Sequence, residues 1–456
     1  MLSRAARRIT SSARPFHASA AFSSASAHDD VLGKAEAVEA DYLVKTYNSD
    51  GVRTKKGLIF THGKGPYLYD AQGHEYLDFC SGIAVNNLGH ADEEWAAAIA
   101  DQATKVCHVS NLFHSEPPLK LAKKLVNNST FDKVFFCNSG GLFMNTHTHI
   151  AAGTEANEAA YKFARLHGSQ VAKGTPIEGK KNHVIAFKGG FHGRSSGSLS
   201  LTYKPAIREP FLPLVPDITF AEYNNLDDVK AQISDRTCAI IVEPIQGEGG
   251  VMPAKADFLR GLRALCDAHG ALLICDEVQT GLGRTGKLFG HEVYDVQPDL
   301  ITLAKPLAGG LPIGAVLTKN HVADAVTPGS HGTTFGGNPI VCAAANVVMD
   351  RLTEPSFLLN VQKLGRLMAE GLKGLQAKHP TKIKEVRLPI GEAGLYAGVE
   401  CFEPVGSIVK DLVTKGVIVI TAGEKILRLC PPLVISEKDV ATFIQALDQS
   451  LAAHTS

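Results

Sequence analysis

Five short apolar runs in this sequence end in residues able to do chemistry. "KVFFCN" leads into Asn138-Ser139-Gly140 and "VIAFK" into Gly189-Gly190-Phe191-His192-Gly193-Arg194, while "CAIIVEP" ends around Glu243. "ALLICDE" closes on Asp276-Glu277, and "LITLAK" closes on Lys305. If the runs are neighbouring strands of one sheet, their ends share a rim, and open α/β sheets bind ligands at the carboxyl ends of their strands. An amine, carboxylates, an arginine and a glycine-rich anion cup would then converge. The lysine carries most weight. Desolvation at the end of a buried strand favours its neutral amine, the form that attacks an aldehyde.

The elements that must position these groups are legible in outline. Each run holds four to six mostly apolar residues, and helical patterns separate the runs over about 92–331. Strands apolar on both faces and alternating with helices predict an α/β fold, with a mostly parallel sheet covered by helices. Upstream, "GPYLYDAQGHEYLDF" alternates apolar and polar residues around Ala71-Gln72-Gly73, which predicts a hairpin. Beyond Asn338, "PIVCAAANVVMDRL" and "LLNVQKLGRLMAEGLKGLQAKH" read as helices. "GLYAGVE", "GVIVI" and "ILRLCPPL" then read as strands, and "SEKDVATFIQALDQSLAAH" as a closing helix. The expected organisation is a leader over 1–28, an N-terminal segment over 29–91, a large α/β domain over 92–338 and a smaller α+β domain over 339–456.

Composition narrows the function classes. Lys+Arg 46 and Asp+Glu 46 cancel, yet residues 1–28 hold Arg4, Arg7, Arg8 and Arg14 and no acid, so the remainder carries 42 basic and 46 acidic groups. A slightly acidic body argues against a nucleic-acid partner, which needs a dense basic face. Hydrophobic residues at 45% and charged residues at 20% suit a large core and exclude wholesale disorder. No apolar run reaches the roughly 18 residues of a membrane-spanning helix, so no membrane partner is expected. Nine cysteines lie singly, most in apolar runs, which predicts free buried thiols in a reducing compartment. The Arg- and Ser-rich, acid-free opening reads as a mitochondrial transit peptide. Arg14-Pro15-Phe16-His17-Ala18-Ser19 resembles the R-x-F-x-x-S pattern of two-step processing, placing the mature start near Ser24 in the mitochondrial matrix.

"LITLAKPLAGGLPIGAV" resembles the cofactor-lysine segment of the class III pyridoxal-phosphate aminotransferases, and "LLICDEVQTGLGRTG" their pyridine-nitrogen segment. "HGTTFGGNP" resembles the segment that reaches the neighbouring subunit's phosphate, and "CNSG…GTEANEAAYKFAR" the phosphate cup. "GIAVNNLGH", "HVSNLFH", "FHGRS" and "EPIQGEGG" narrow the resemblance to the acetylornithine-specific branch, over about 41–452. It implies the type I fold of pyridoxal-phosphate enzymes, pyridoxal 5'-phosphate as cofactor, and a homodimer with shared active sites. The substrates implied are an amino acid and a 2-oxo acid. The reaction implied moves the δ-amino group of N2-acetyl-L-ornithine to 2-oxoglutarate in arginine biosynthesis, with ornithine δ-aminotransferase or another ω-amino acid enzyme as the alternative.

The resemblance also assigns roles. Lys305 would bind the cofactor covalently and shuttle a proton. Asp276 would pair with the pyridine nitrogen, Gln279 would bond the phenolic oxygen, and Phe191 would stack on the ring, with Glu277 and Val278 beside them. Ser139, Gly140 or Gly153, and Thr154 would bind the phosphate, joined by Thr334 from the neighbouring subunit. Arg194, with Thr333 beside it, would take the substrate's far carboxylate. Arg428 would take glutamate's α-carboxylate, with Glu243 masking it for acetylornithine. His108, His114 and His192 are expected to form hydrogen bonds rather than to bind a metal.

One departure stands out. The family's cup reads N-S-G-T-E-A, whereas here the 13 residues "GLFMNTHTHIAAG" over 141–153 separate Gly140 from Thr154. The expectation is a displaced phosphate cup, with a cofactor-poor, inactive protein as its extreme. The alternative is an outward excursion in which Gly153 replaces Gly140.

Overall fold

The computed structural model describes residues 41, 42, 44, 58–138 and 153–454. The chain divides into two compact units, Met1–Leu43 and Val44–Ser456. Of the first, only Asp41 and Tyr42 are described, both helical and exposed. The leader over 1–28, Ser139, Gly140 and the interrupting segment up to residue 152 lie outside the described residues. Everything below concerns the second unit.

Its first strands are β1 (Phe60–Lys64), β2 (Tyr67–Asp70) and β3 (Glu75–Asp78), antiparallel, with Tyr67 opposite Leu77. The predicted hairpin is there. Its turn is closed by the Asp70 carboxylate, which accepts from the backbone N–H of Gln72 and His74 at 2.9 and 2.8 Å, the turn chemistry of an aspartate. Helices α1 (Glu93–Ala103) and α2 (Glu116–Asn127) follow.

Among the described residues, seven strands form the central sheet: β4 (Lys133–Cys137), β5 (His183–Phe187), β6 (Ile218–Ala221), β7 (Thr237–Val242), β8 (Leu272–Asp276), β9 (Leu300–Leu303) and β10 (Gly314–Thr318). Their order is β4-β10-β9-β8-β7-β5-β6. Five of the seven are the runs that the sequence marks; β6 and β10 are additions. Only β10 runs antiparallel to its neighbours. Every residue of β7, β8 and β9 is buried, because helices cover both faces. Successive strand residues point to opposite faces, and the two cores follow that alternation. Leu272 and Ile274 of β8 pack with α3 (Thr154–Val171), whereas Leu273 and Cys275 pack with α4 (Ala256–His269).

Past the sheet come α5 (Pro339–Thr353), α6 (Pro355–Lys378), β11 (Ile383–Arg387) and β12 (Ala397–Cys401). They are followed by β13 (Val417–Ile418), β14 (Ile420–Thr421), β15 (Ile426–Leu429) and α7 (Glu437–Ala453). Ser436 and Asp439 form a reciprocal cap on α7, at 2.7 and 3.2 Å. "GVIVI" differs from the single strand expected. Val417 pairs in parallel with Leu77 of β3, while Ile420 pairs antiparallel with Arg428 of β15. One apolar run thus joins the N-terminal hairpin sheet to the C-terminal one.

Candidate active site

Strand alternation decides which way each rim residue faces. Asp276 continues the Leu272, Ile274 series and points at the first turn of α3. There Asn157 Nδ2 donates to Asp276 Oδ2 at 2.7 Å, and His192 Nδ1 lies 2.8 Å from the same oxygen. The Val278 N–H donates to Oδ1 at 3.0 Å. Burial by itself would push the His192 imidazole down, but the hydrogen bond to Asp276 and its charge outweigh burial and hold it above its ordinary range.

Lys305 lies just beyond β9 and is 3% exposed. Desolvation lowers its amine to about 8, a shift opposed by Glu248, reinforced by the Arg428 charge and opposed again by Asp276 and Glu243. Lys305 and Asp276 share a small cavity with Phe191, Val278, Gln279 and Gly153. Gly153 caps α3 at φ 121°, and a Cβ there would run into the Val278 side chain, so only glycine fits this wall. The Tyr396 hydroxyl donates to Gln279 Oε1 at 2.8 Å, which leaves the amide's NH2 as the group with donors to spare.

Other expected residues fall differently. Glu277 is the next residue along β8's alternation and turns away from the cavity. Its carboxylate accepts from the N–H groups of Gly290 and His291, both at 2.6 Å, and from Thr280 Oγ1 at 2.8 Å. It is a structural anchor, which corrects the expectation of cofactor contact. Thr154 Oγ1 accepts from the N–H of Arg194 at 3.0 Å and of Ser195 at 3.1 Å, so its acceptor side braces that loop. The Arg194 guanidinium sits 5.7 Å from the Phe191 ring centroid. Thr333 accepts through its carbonyl from Asn111 Nδ2 at 3.1 Å, and Thr334 is exposed and outside this cavity.

The expected Arg428–Glu243 pair is also corrected. Glu243 accepts the N–H of Phe191 at 2.8 Å and of Gly247 at 3.1 Å, so it holds the loop that carries Phe191. Burial raises its carboxyl to about 7, although His192 pulls it the other way. Arg428, fully buried, instead donates through Nη1 to Glu248 Oε1 at 2.6 Å. "EPIQGEGG" holds two glutamates; the first is fixed at the end of β7, and the second, past the short strand Ile245–Gln246, reaches the arginine. Arg428 Nε and Nη2 are buried with no hydrogen-bond partner among the described residues. A buried guanidinium with idle donors is costly unless a ligand uses them.

Residues 48–451 match the family model described as aminotransferase class-III. The chain belongs to that family. "Acetylornithine aminotransferase, mitochondrial" of Alnus glutinosa is 46% identical over 88% of this chain and 85% of its own length. "Probable acetylornithine aminotransferase, mitochondrial" of Dictyostelium discoideum is 45% identical over 86% and 83%. Among solved structures, N-acetylornithine aminotransferase of Stenotrophomonas maltophilia is 35% identical, covering 89% of this chain and 98% of its own, with a TM-score of 0.73. Ornithine aminotransferase of Toxoplasma gondii overlays with a TM-score of 0.83 at 28% identity, covering 92% and 95%. Structures carrying both names thus overlay on this chain.

The cofactor of this class-III aminotransferase is pyridoxal 5'-phosphate, and the cavity fits it. A buried amine of lowered pKa suits its aldehyde, and an oriented carboxylate suits its ring nitrogen. Phe191 and Val278 offer apolar faces, Gln279 a donor, and the Gly153 wall a close approach to the helix start. Asn157, Glu248 and Tyr396 escaped the sequence reading. For Asn157 the available signal was its position one helical turn after Gly153, on the face that must meet the strand ends.

Proposed function

We propose that this aminotransferase moves the δ-amino group of N2-acetyl-L-ornithine to 2-oxoglutarate in the mitochondrial matrix, forming N-acetyl-L-glutamate 5-semialdehyde and L-glutamate for arginine biosynthesis. The reading is carried by Arg428, a buried cation that has, among the described residues, one carboxylate partner and two idle nitrogens. Acetylornithine presents a methylene beside its reacting amine, and glutamate presents a carboxylate there. Glu248 covers Arg428 for the first substrate and yields to glutamate's α-carboxylate for the second. One exposed cation would otherwise select against one half-reaction. Arg194, with Thr333, orients the far carboxylate through a bidentate contact.

Bound pyridoxal phosphate supplies an aldehyde and an electron-accepting ring. Lys305 Nζ would anchor it and, once the substrate amine has displaced it, would take the proton from the donor's δ-carbon in one half-reaction and deliver one to the α-carbon of the new glutamate in the other. Asp276 holds a proton at the ring nitrogen, and its own orientation is held by His192 and Asn157. Gln279 donates to the phenolic oxygen, while Phe191 and Val278 confine the ring. Gly153 and Thr154 bring backbone amides at the helix start to the phosphate.

A homodimer with shared sites completes the reading. Leu112 is 85% exposed, Phe113 70% and Phe335 50%, beside exposed Thr334, and the His108 ring packs 5.2 Å from the Phe335 ring. An apolar patch of this kind suits a second copy, to which Thr334 would be delivered. The mitochondrial address rests on the Arg-rich opening and on the two mitochondrial relatives. Among the described residues, no helix is long and apolar enough to cross a membrane. Turnover of acetylornithine against free ornithine tests the substrate; a preference for free ornithine above about tenfold, roughly 1.4 kcal/mol, overturns it.

A further inference from the structure

We propose that Asn157 is a positioning residue that sets the span of the cofactor site, tying the helix start that faces the phosphate to the carboxylate that faces the ring nitrogen. The proposal rests on the reading of Asp276, Gly153 and Thr154 given above and deepens it.

Asn157 is 1% exposed, and its side chain is fully engaged. Nδ2 donates to Asp276 Oδ2 at 2.7 Å and to the His192 carbonyl at 2.8 Å, while Oδ1 accepts from Thr302 Oγ1 at 2.7 Å. Its own N–H donates to the Gly153 carbonyl at 2.9 Å. One residue thus joins α3, the loop after β5, and the ends of β8 and β9. Asp276 and Thr302 are register partners on adjacent parallel strands, so both face α3 at the same level. The three bonds also fix the amide's direction. A flipped amide would set Oδ1 against a carboxylate and a carbonyl, leaving buried groups unpaired.

Helix formation gives no reason for this residue. Asparagine is a poor helix former and competes for backbone hydrogen bonds in a helix interior. The geometry does. Gly153 has no slack against Val278, so a small slide of α3 would close the wall or pull it from the cavity. Thr154 and Glu158 hold the same turn on the loop side, the latter accepting from Ser195 Oγ at 2.6 Å and from the Ser198 N–H at 3.0 Å. Asn157 is the member of this set that reaches Asp276.

The test is a double-mutant cycle read by titrating the apo-protein with pyridoxal phosphate, and by the pH midpoint of the bound cofactor's visible absorbance. Asn157→Leu is expected to weaken binding at least about tenfold, as loss of buried bonds to a charged group implies, and to move the midpoint. Asp276→Ala should weaken binding further, and the double variant should bind within about twofold of Asp276→Ala alone, the signature of a shared pathway. If the leucine variant fails to fold, Asn157→Ser carries the same cycle. Additive losses, or an unmoved midpoint in the Asn157 variant, overturn the proposal while leaving Asp276's role intact. If Asp276→Ala by itself changes neither affinity nor midpoint, the reading of the site falls and the proposal falls with it.

Discussion

At the ring-nitrogen end of the cavity, Asp276 receives Asn157, His192 and the Val278 N–H, and Asn157 is itself tied to the His192 carbonyl and to Thr302. At the carboxylate end, Arg428 is equally buried but has, among the described residues, one side-chain partner, Glu248, and two idle nitrogens. A network in which every member is satisfied is rigid, because any movement strands a buried polar group. A cation with spare donors and a single charged partner is built for exchange. The cofactor stays through the whole cycle and suits the first design; two alternating substrates need the second.

The largest effect is expected where both ends meet the reacting atoms. Lys305→Ala should lower transamination by at least about a thousandfold while circular dichroism and the mass in solution stay unchanged, since removal of a nucleophile that doubles as proton carrier would stop both half-reactions. Substantial residual turnover would point to another lysine.

Next come variants that separate the two ends. Arg428→Ala should cost the glutamate half-reaction about a hundredfold in single turnover and the acetylornithine half-reaction far less, because only glutamate places a carboxylate there. Glu248→Ala should do the reverse on a smaller scale, about tenfold against acetylornithine with glutamate maintained. Equal loss on both substrates would make the Arg428–Glu248 contact a static ion pair. Glu243→Ala, by freeing the N–H groups of Phe191 and Gly247, should slow both half-reactions together.

A third measurement probes the amine alone. Lys305 is lowered to about 8, so its neutral fraction rises with pH through that value and is small below it. Borohydride trapping of an aldehyde on the apo-protein should reach half its limiting rate near pH 8. A midpoint near that of an ordinary lysine, about 10.4, would mean that burial is not what tunes it.

The smallest effect is expected from deleting residues 141–152. Gly153, Thr154 and Asn157 are held by the loop after β5 and by the ends of β8 and β9, so cofactor affinity should change by less than about threefold, well under one lost charge-assisted bond. A tenfold rise would show that the segment displaces the cup, as the uninterrupted family pattern suggests.

Much of this is legible in the amino-acid sequence. Lys305 and Asp276 end apolar runs of strand length, and the family resemblance added the roles of Phe191, Val278 and Gln279. The misreadings share a cause. Glu277 is adjacent to Asp276 in sequence, yet alternation sends it to the opposite face. Glu243 and Glu248 are equivalent by composition, and only the path of the chain after β7 separates them. β6 and β10 were not marked although they are as long as the strands that were: "ITFA" ends in no chemically distinctive residue, and "GAVLT" sits inside a segment already assigned to chemistry.

The sequence by itself determined the order of the strands along the chain, the buried lysine and the aspartate, because desolvation and the two-residue period act locally. Only the tertiary structure decided which groups meet across the rim. Asn157 finds Asp276 119 residues away, Tyr396 finds Gln279 117 away, and Arg428 finds Glu248 180 away. Such contacts have no periodicity to announce them. They exist because burial favours pairing a polar group with whatever partner the packed chain brings within reach.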